Sequence, residues 1–212
     1  MADIYIYDDI GPEWLGMVSA KAVIDQIKAA NGGPIEVKIN SGGGSVMEAL
    51  AIYNAMTAHQ GELVVSIDGV AASSASYLAM AGKRIKIAEN AKFMIHNAWT
   101  VTVGDSIAHQ KTADVLGGFN QTLAEAYAKR SGKSVSEVLQ KMADETWFSA
   151  KEAVDFGLAD EIGQKLQVKA SIAPGRFLNT PQDLINPEKP KEYAHNRNQY
   201  RAKSLLTPYN LR

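Results

Sequence analysis

Gly69-Val70-Ala71-Ala72-Ser73-Ser74-Ala75-Ser76-Tyr77-Leu78-Ala79-Met80-Ala81-Gly82 is the run that decides how this chain is read. It sets Ser73 among small residues at the entrance to an apolar helix. A strand-like run, Phe93-Met94-Ile95, follows and ends on His96. A serine at a helix start with a histidine at a strand end is what a serine hydrolase needs. The helix N-terminus favours developing negative charge, and a general base makes the hydroxyl nucleophilic at neutral pH. Upstream, Ile39-Asn40-Ser41-Gly42-Gly43-Gly44-Ser45 carries glycines that let backbone N–H groups approach a ligand closely. Nucleophile, base and anion cradle are thus all on offer.

Outward from that run, strands and helices alternate. Ile4–Tyr7 reads as a strand, and Ser19 caps a helix over Ala20–Ala30 with Val23, Ile24 and Ile27 on one face. Asn31-Gly32-Gly33-Pro34 stops it before a strand over Ile35–Ile39. A capping box, Ser45-x-x-Glu48, opens a helix from Val46 that turns Leu50 and Tyr53, with Ala49 and Met56, inward. Leu63–Ile67 and Arg84–Ile87 read as further strands. Alternation at this spacing predicts an α/β fold with a mainly parallel sheet.

After His96 the pattern changes. Ala98–Val103 reads as extended, and a long helix runs from about Asp105 to Arg130, with Val115, Phe119, Leu123 and Tyr127 forming one apolar stripe. Ser134-x-x-Glu137 and Ser149-x-x-Glu152 cap two short helices, Gly157 ends the second, and Leu158–Ile162 is the last regular piece. Residues 166–212, rich in Pro, Asn, Lys, Arg and Tyr, read as an irregular tail that wraps a partner or stays partly disordered.

Composition closes off other classes. The 212 residues carry a formal net charge of −1 and no cysteine. Nothing basic points to nucleic acid, and no thiol is present for a disulfide, a cysteine-ligated metal or a cysteine nucleophile. There is no signal peptide and no apolar run long enough to span a membrane, so a cytoplasmic protein without membrane partner is expected. No metal or cofactor is called for.

Taken singly, these residues have plainer readings. Small residues at a helix start pack closely, a lone histidine is more often hydrogen-bonded than catalytic, and Glu145 near a helix cap reads as a surface charge. The triple glycine lacks the Gly-Lys-Ser/Thr ending of a phosphate loop. His59, His109 and His195 sit in polar contexts and take no role.

The ordered set outweighs them. Ile39-Asn40-Ser41-Gly42-Gly43-Gly44-Ser45-Val46, Gly69-x-Ala71-Ala72-Ser73-Ser74 and Met94-Ile95-His96-Asn97 are followed by Glu145-Thr146-Trp147-Phe148-Ser149-Ala150 and Glu152-Ala153-x-x-Phe156-Gly157-Leu158-Ala159-Asp160. Over about residues 4–163 the chain resembles the Clp-type serine protease subunits, the ClpP family, and most closely the phage and prophage head maturation branch. The resemblance implies a crotonase/ClpP-like β/α superhelical spiral over 1–165, with a long handle helix and the irregular tail 166–212. It implies Ser73 as nucleophile, His96 as general base, and the N–H groups of Gly43 and Ser74 as oxyanion donors. It implies a ring-forming homo-oligomer acting on protein substrates, here capsid or scaffold precursors. Trp147 reads as filling the core beneath the acid, and Trp99 as bordering the cleft.

Three departures stand out. Where better-known members carry an aspartate, this chain has Glu145, with Asp144 beside it as the alternative acid. The family's usual proline before the double glycine is Gly42 here, which loosens that loop. The chain also begins almost at its first strand, leaving no room for the axial-gate segment of ATPase-coupled members, so an ATP-independent enzyme without an unfoldase partner is expected. The competing readings are a crotonase-type acyl-CoA enzyme or a catalytically silent assembly scaffold on the same fold, neither of which needs serine and histidine at these positions. A Ser-Lys peptidase would need a lysine in place of His96.

Overall fold

The computed structural model describes residues 1–168 and 170–185. Strands β1 (Ala2–Ile6), β2 (Ile35–Ser41), β3 (Leu63–Ala72), β4 (Arg84–Ala88), β5 (Lys92–Ile95), β6 (Thr146–Ser149) and β7 (Glu161–Gly163) alternate with helices. The helices are α1 (Ala20–Ala29), α2 (Val46–Ala58), α3 (Ser74–Ala79), α4 (Ser106–Ser131), α5 (Val135–Ala143) and α6 (Ala150–Phe156). The parallel order is β1-β2-β3-β4-β7, with β5 on β3 and β6 antiparallel to β5. This is the mixed α/β architecture the alternation predicts.

The element that positions the site is β3, all ten residues of which are buried. Its first half, Val64–Ile67, pairs with β4, and its last residues, Val70–Ala72, pair with β5. One strand therefore takes two successive neighbours, and the sheet branches there toward β5 and β6. The switch occurs at an irregularity against β2, where Ile39 faces Ile67 but Ser41 faces Ala71. Two extra residues on β3 are accommodated there, as in a bulge. The side chain of Asn40 fills the gap by accepting from Val70 N–H at 3.2 Å. A Cβ on Gly69 would lie 2.4 Å from that Asn40 oxygen, which is why glycine sits at the switch. The sequence reading ends this strand at Ile67; the strand instead continues through Asp68 and Gly69 to Ala72.

The main core packs the sheet against α1–α3 and the buried faces of α4–α6, with Ile35, Val37 and Ile39 alternating inward along β2. Ala49, Ile52 and Met56 are the buried face of α2, while Leu50 and Tyr53 are only half-buried against it. The expected box at Ser45 is half right. Ser45 Oγ does accept from Glu48 N–H, but the Glu48 carboxylate accepts from Ala20 N–H at 2.5 Å and so caps α1, 28 residues away. On the other face of β2 and β3, Tyr7 bonds Asp68, and burial pushes the Asp68 carboxyl above its ordinary value.

Two further expectations change. Ala98–Val103 forms no strand; Ala98 N–H is held by Asn120 Oδ1 at 2.7 Å. The stripe on α4 is buried only at Leu123 and Tyr127, while Val115 is 58% exposed. A helix of 26 residues is about 39 Å long, and only its C-terminal half lies over the body. Residues 170–185, read from sequence within the irregular tail, pack on their own chain: Ile172, Phe177 and Leu184 form a buried cluster with Val70, Ala72 and Met94. The rest of that tail, 186–212, with His195, lies outside the described residues.

Candidate active site

The pairing of β3 with β5 brings two chain ends together. Ala72 is opposite Met94, and Ser73 N–H donates to Met94 C=O at 3.0 Å. Ser73 and His96 therefore leave the sheet side by side, and Ser73 Oγ lies 2.7 Å from His96 Nε2. Ser73 turns between β3 and α3 with φ 58° and ψ −128°. A non-glycine residue held there costs roughly 1–3 kcal/mol, and such a turn lifts the hydroxyl clear of the backbone. The strain is held in place from below. Ser76 Oγ donates to Ser73 C=O at 2.6 Å and meets Tyr127 Oη at 2.8 Å. Burial pushes the Tyr127 phenol well above its ordinary value, so it stays protonated. Neither Ser76 nor Tyr127 is singled out by the sequence as part of the site; both belong to helix faces that read as plain packing.

The oxyanion expectation divides. Gly43 (φ +83°) packs directly on the serine turn, where a Cβ would meet Ala72 O at 2.5 Å and Ser74 N at 2.9 Å. Its N–H donates to Ser41 Oγ at 3.1 Å. Gly44 (φ +150°), which the sequence reading passes over, packs on the Ile10 backbone and lines the same cleft as Ser73. Ser74 N–H opens α3, where no carbonyl of its own turn can accept it. The Ser74 hydroxyl is buried and has no partner among the described residues.

Glu145 follows from the β5–β6 register. Ile95 pairs with Thr146 in the last rung of that ladder, so His96, just after β5, and Glu145, in the turn just before β6, come to the same end of the sheet. Glu145 is buried, with φ 50°. Its two carboxylate oxygens accept from Leu178 N–H at 2.9 Å and Asn179 N–H at 2.6 Å, with Trp147 Nε1 at 3.5 Å. Asp144, the alternative acid, is exposed, and its carboxylate accepts from Gln140 Nε2 at 3.0 Å. Strand pairing thus brings Ser73, His96 and Glu145 to one end of the sheet, while Asp144 faces outward.

A cleft of about 300 Å³ opens in front of Ser73 and His96. Pro12, Leu15, Met17, Trp99 and Phe177 give it apolar walls. Phe177 stands edge-on to the His96 ring at 5.2 Å and to Trp147 at 5.8 Å. Trp99 borders the cleft, as expected; Trp147, expected in the core beneath the acid, is only half-buried, with its ring nitrogen 3.5 Å from the Glu145 carboxylate. Among the described residues, no helix is long and apolar enough to cross a membrane.

A family model described as Clp protease matches residues 4–166. ATP-dependent Clp protease proteolytic subunit 2 of Tropheryma whipplei (strain Twist) is 31% identical over 126 residues, covering 58% of this chain and 70% of that protein. Proteolytic subunit 1 of Leifsonia xyli subsp. xyli (strain CTCB07) is 32% identical over 130 residues, or 60% and 66% of the two chains. The proteolytic subunit of Ligilactobacillus salivarius (strain UCC118) is 33% identical over 130 residues, again 60% and 66%. The chain thus spans about two thirds of the length of these relatives. The matched span takes in the strand switch, the serine turn and the β5–β6 ladder, and the chain belongs to the Clp protease family.

Proposed function

We propose that the protein is a serine endopeptidase of ClpP type, with Ser73 as nucleophile, His96 as general base and Glu145 as the acid that orients the base. The observation that carries this reading is the 2.7 Å contact of Ser73 Oγ with His96 Nε2 at the floor of an open cleft. His96 takes the hydroxyl proton as Ser73 attacks a peptide carbonyl, then returns it to the leaving amine; water repeats the cycle on the acyl-enzyme. The tetrahedral oxygen is held by Ser74 N–H and by the Gly43–Gly44 loop, in reach of both serine and substrate. The apolar walls favour an apolar side chain next to the cleaved bond. A crotonase-type enzyme or a silent scaffold has no use for the serine–histidine contact.

The finer reading follows the resemblance: a head maturation protease acting on capsid or scaffold precursors, assembled as a ring of copies in the cytoplasm. Exposed Val101, Val103, Ile107 and Val115, on and before the projecting half of α4, supply apolar surface for assembly. No step at Ser73 and His96 consumes a nucleotide, so cleavage of an unfolded substrate needs no ATPase. Incubating the protein with casein alone tests this. Short fragments accumulating without nucleotide are expected, and intact casein after prolonged incubation would contradict the reading.

A further inference from the structure

Between Arg176 and Asn179 one short run of chain touches three parts of the site. Leu178 and Asn179 N–H bind the Glu145 carboxylate, Phe177 stands edge-on to His96, and Arg176 reaches the glycine loop. Its guanidinium pairs with Asp9 and donates to Gly43 C=O at 3.1 Å. Both members of the ion pair are largely buried, with side chains 14% and 10% exposed.

We propose that Arg176 is a positioning residue for the hydrolysis, bolting the glycine loop in the shape that binds the tetrahedral oxygen; this rests on the serine-hydrolase reading above. Gly42 fits this role. A Cβ there would lie 2.8 Å from one guanidinium nitrogen and 3.0 Å from Cζ, so a residue with a side chain would push Arg176 away. The loop that looks loosened by glycine is held by the side chain which that glycine admits. The Gly43 oxygen is gripped from two sides, by Arg176 and by Ile10 N–H at 2.9 Å. A trans peptide is planar, with its C=O and N–H opposed, so fixing this oxygen fixes the direction of the Gly44 N–H, whose residue lines the same cleft as Ser73. Only arginine presents a fork that serves Asp9 and the carbonyl together. The run positions rather than plugs. With it in place Ser73 and His96 are bonded, and the cleft remains open.

The test measures kcat and KM on a chromogenic peptide, and the rate at which a fluorophosphonate labels Ser73, in the full chain. Arg176→Ala is expected to lower kcat about 100-fold, the cost of misplacing a reacting group by about 1 Å. KM changes less than about threefold, and labelling slows in proportion to kcat. Arg176→Lys keeps the charge toward Asp9 and loses the fork, so its kcat falls between the two. Gly42→Ala alone loses kcat like Arg176→Ala, and the double variant is no worse than either single one, because both break one contact. Unchanged kcat in Arg176→Ala, faster turnover, or a loss confined to KM would overturn the proposal. If Arg176→Ala does not fold, Arg176→Lys and Gly42→Ala decide: kcat equal to the parent's in both overturns it. A parent protein that never labels at Ser73 sinks the hydrolase reading, and this one with it.

Discussion

Ser73→Ala is expected to lower kcat on a peptide substrate by at least about 10⁴-fold, the usual consequence of removing a nucleophile from a unit that works only when complete. The fold is expected to survive, because the Ser73 hydroxyl bonds only His96 among the described residues, while its carbonyl and N–H carry the structural contacts. Ser74→Ala makes the sharper comparison. The Ser74 hydroxyl is buried without a partner, and a buried unpaired hydroxyl costs stability. The proposed role of Ser74 uses its backbone N–H, which alanine keeps. Ser74→Ala therefore retains kcat within about threefold and melts no lower than the parent. Progress curves and melting curves on the two variants, one position apart, check both statements. Full activity in Ser73→Ala, or loss of activity in a folded Ser74→Ala, would contradict them.

Glu145→Gln is the second large effect, and it acts on two links at once. The carboxylate accepts from two backbone N–H groups and faces the Trp147 ring nitrogen. An amide offers one acceptor oxygen in place of two, so Leu178 or Asn179 loses its partner. Leaving a buried donor unpaired costs about 1–3 kcal/mol, and each kcal/mol lowers the melting midpoint of a chain this size by about 2–4 °C. The effect on turnover is larger. Neutralising the acid that orients a catalytic histidine lowers kcat about 10⁴-fold in such triads. Asp144→Asn, at an exposed carboxylate, changes kcat less than about twofold. A Glu145→Gln protein that melts lower but keeps its kcat would make Glu145 a structural pin for residues 178 and 179, with no catalytic part.

What the sequence discloses and what it hides divide along a physical line. Ser73, His96 and Glu145 are legible because each sits at the end of a short element marked by local signals: small residues before a helix, an apolar run before a histidine, a serine cap after the acid. The pairing that joins them is local in register, with Ala72 opposite Met94 and Ile95 opposite Thr146. Side chains that act across long separations leave no such mark. Glu48 reads as the partner of Ser45 three residues away and instead caps α1. Arg176 lies 133 residues from the carbonyl it binds, in a segment without period, where neither helix nor strand patterning applies. Periodicity also reports which face of a helix is apolar, never whether anything lies opposite. The four-residue spacing on α4 therefore marks Val115 and Tyr127 alike, although one is solvent-facing and the other fully buried. Strand β6 is four residues long, too short to show alternation.

The claim on which all of this depends is that His96 activates Ser73. Treating the folded protein with a fluorophosphonate and mapping the adduct by peptide mass spectrometry measures it directly. One adduct is expected, on Ser73 and not Ser74, forming at least about 10³-fold more slowly in His96→Ala and absent after unfolding. A folded protein that carries no adduct at Ser73, or a His96→Ala variant labelled as fast as its parent, would contradict it.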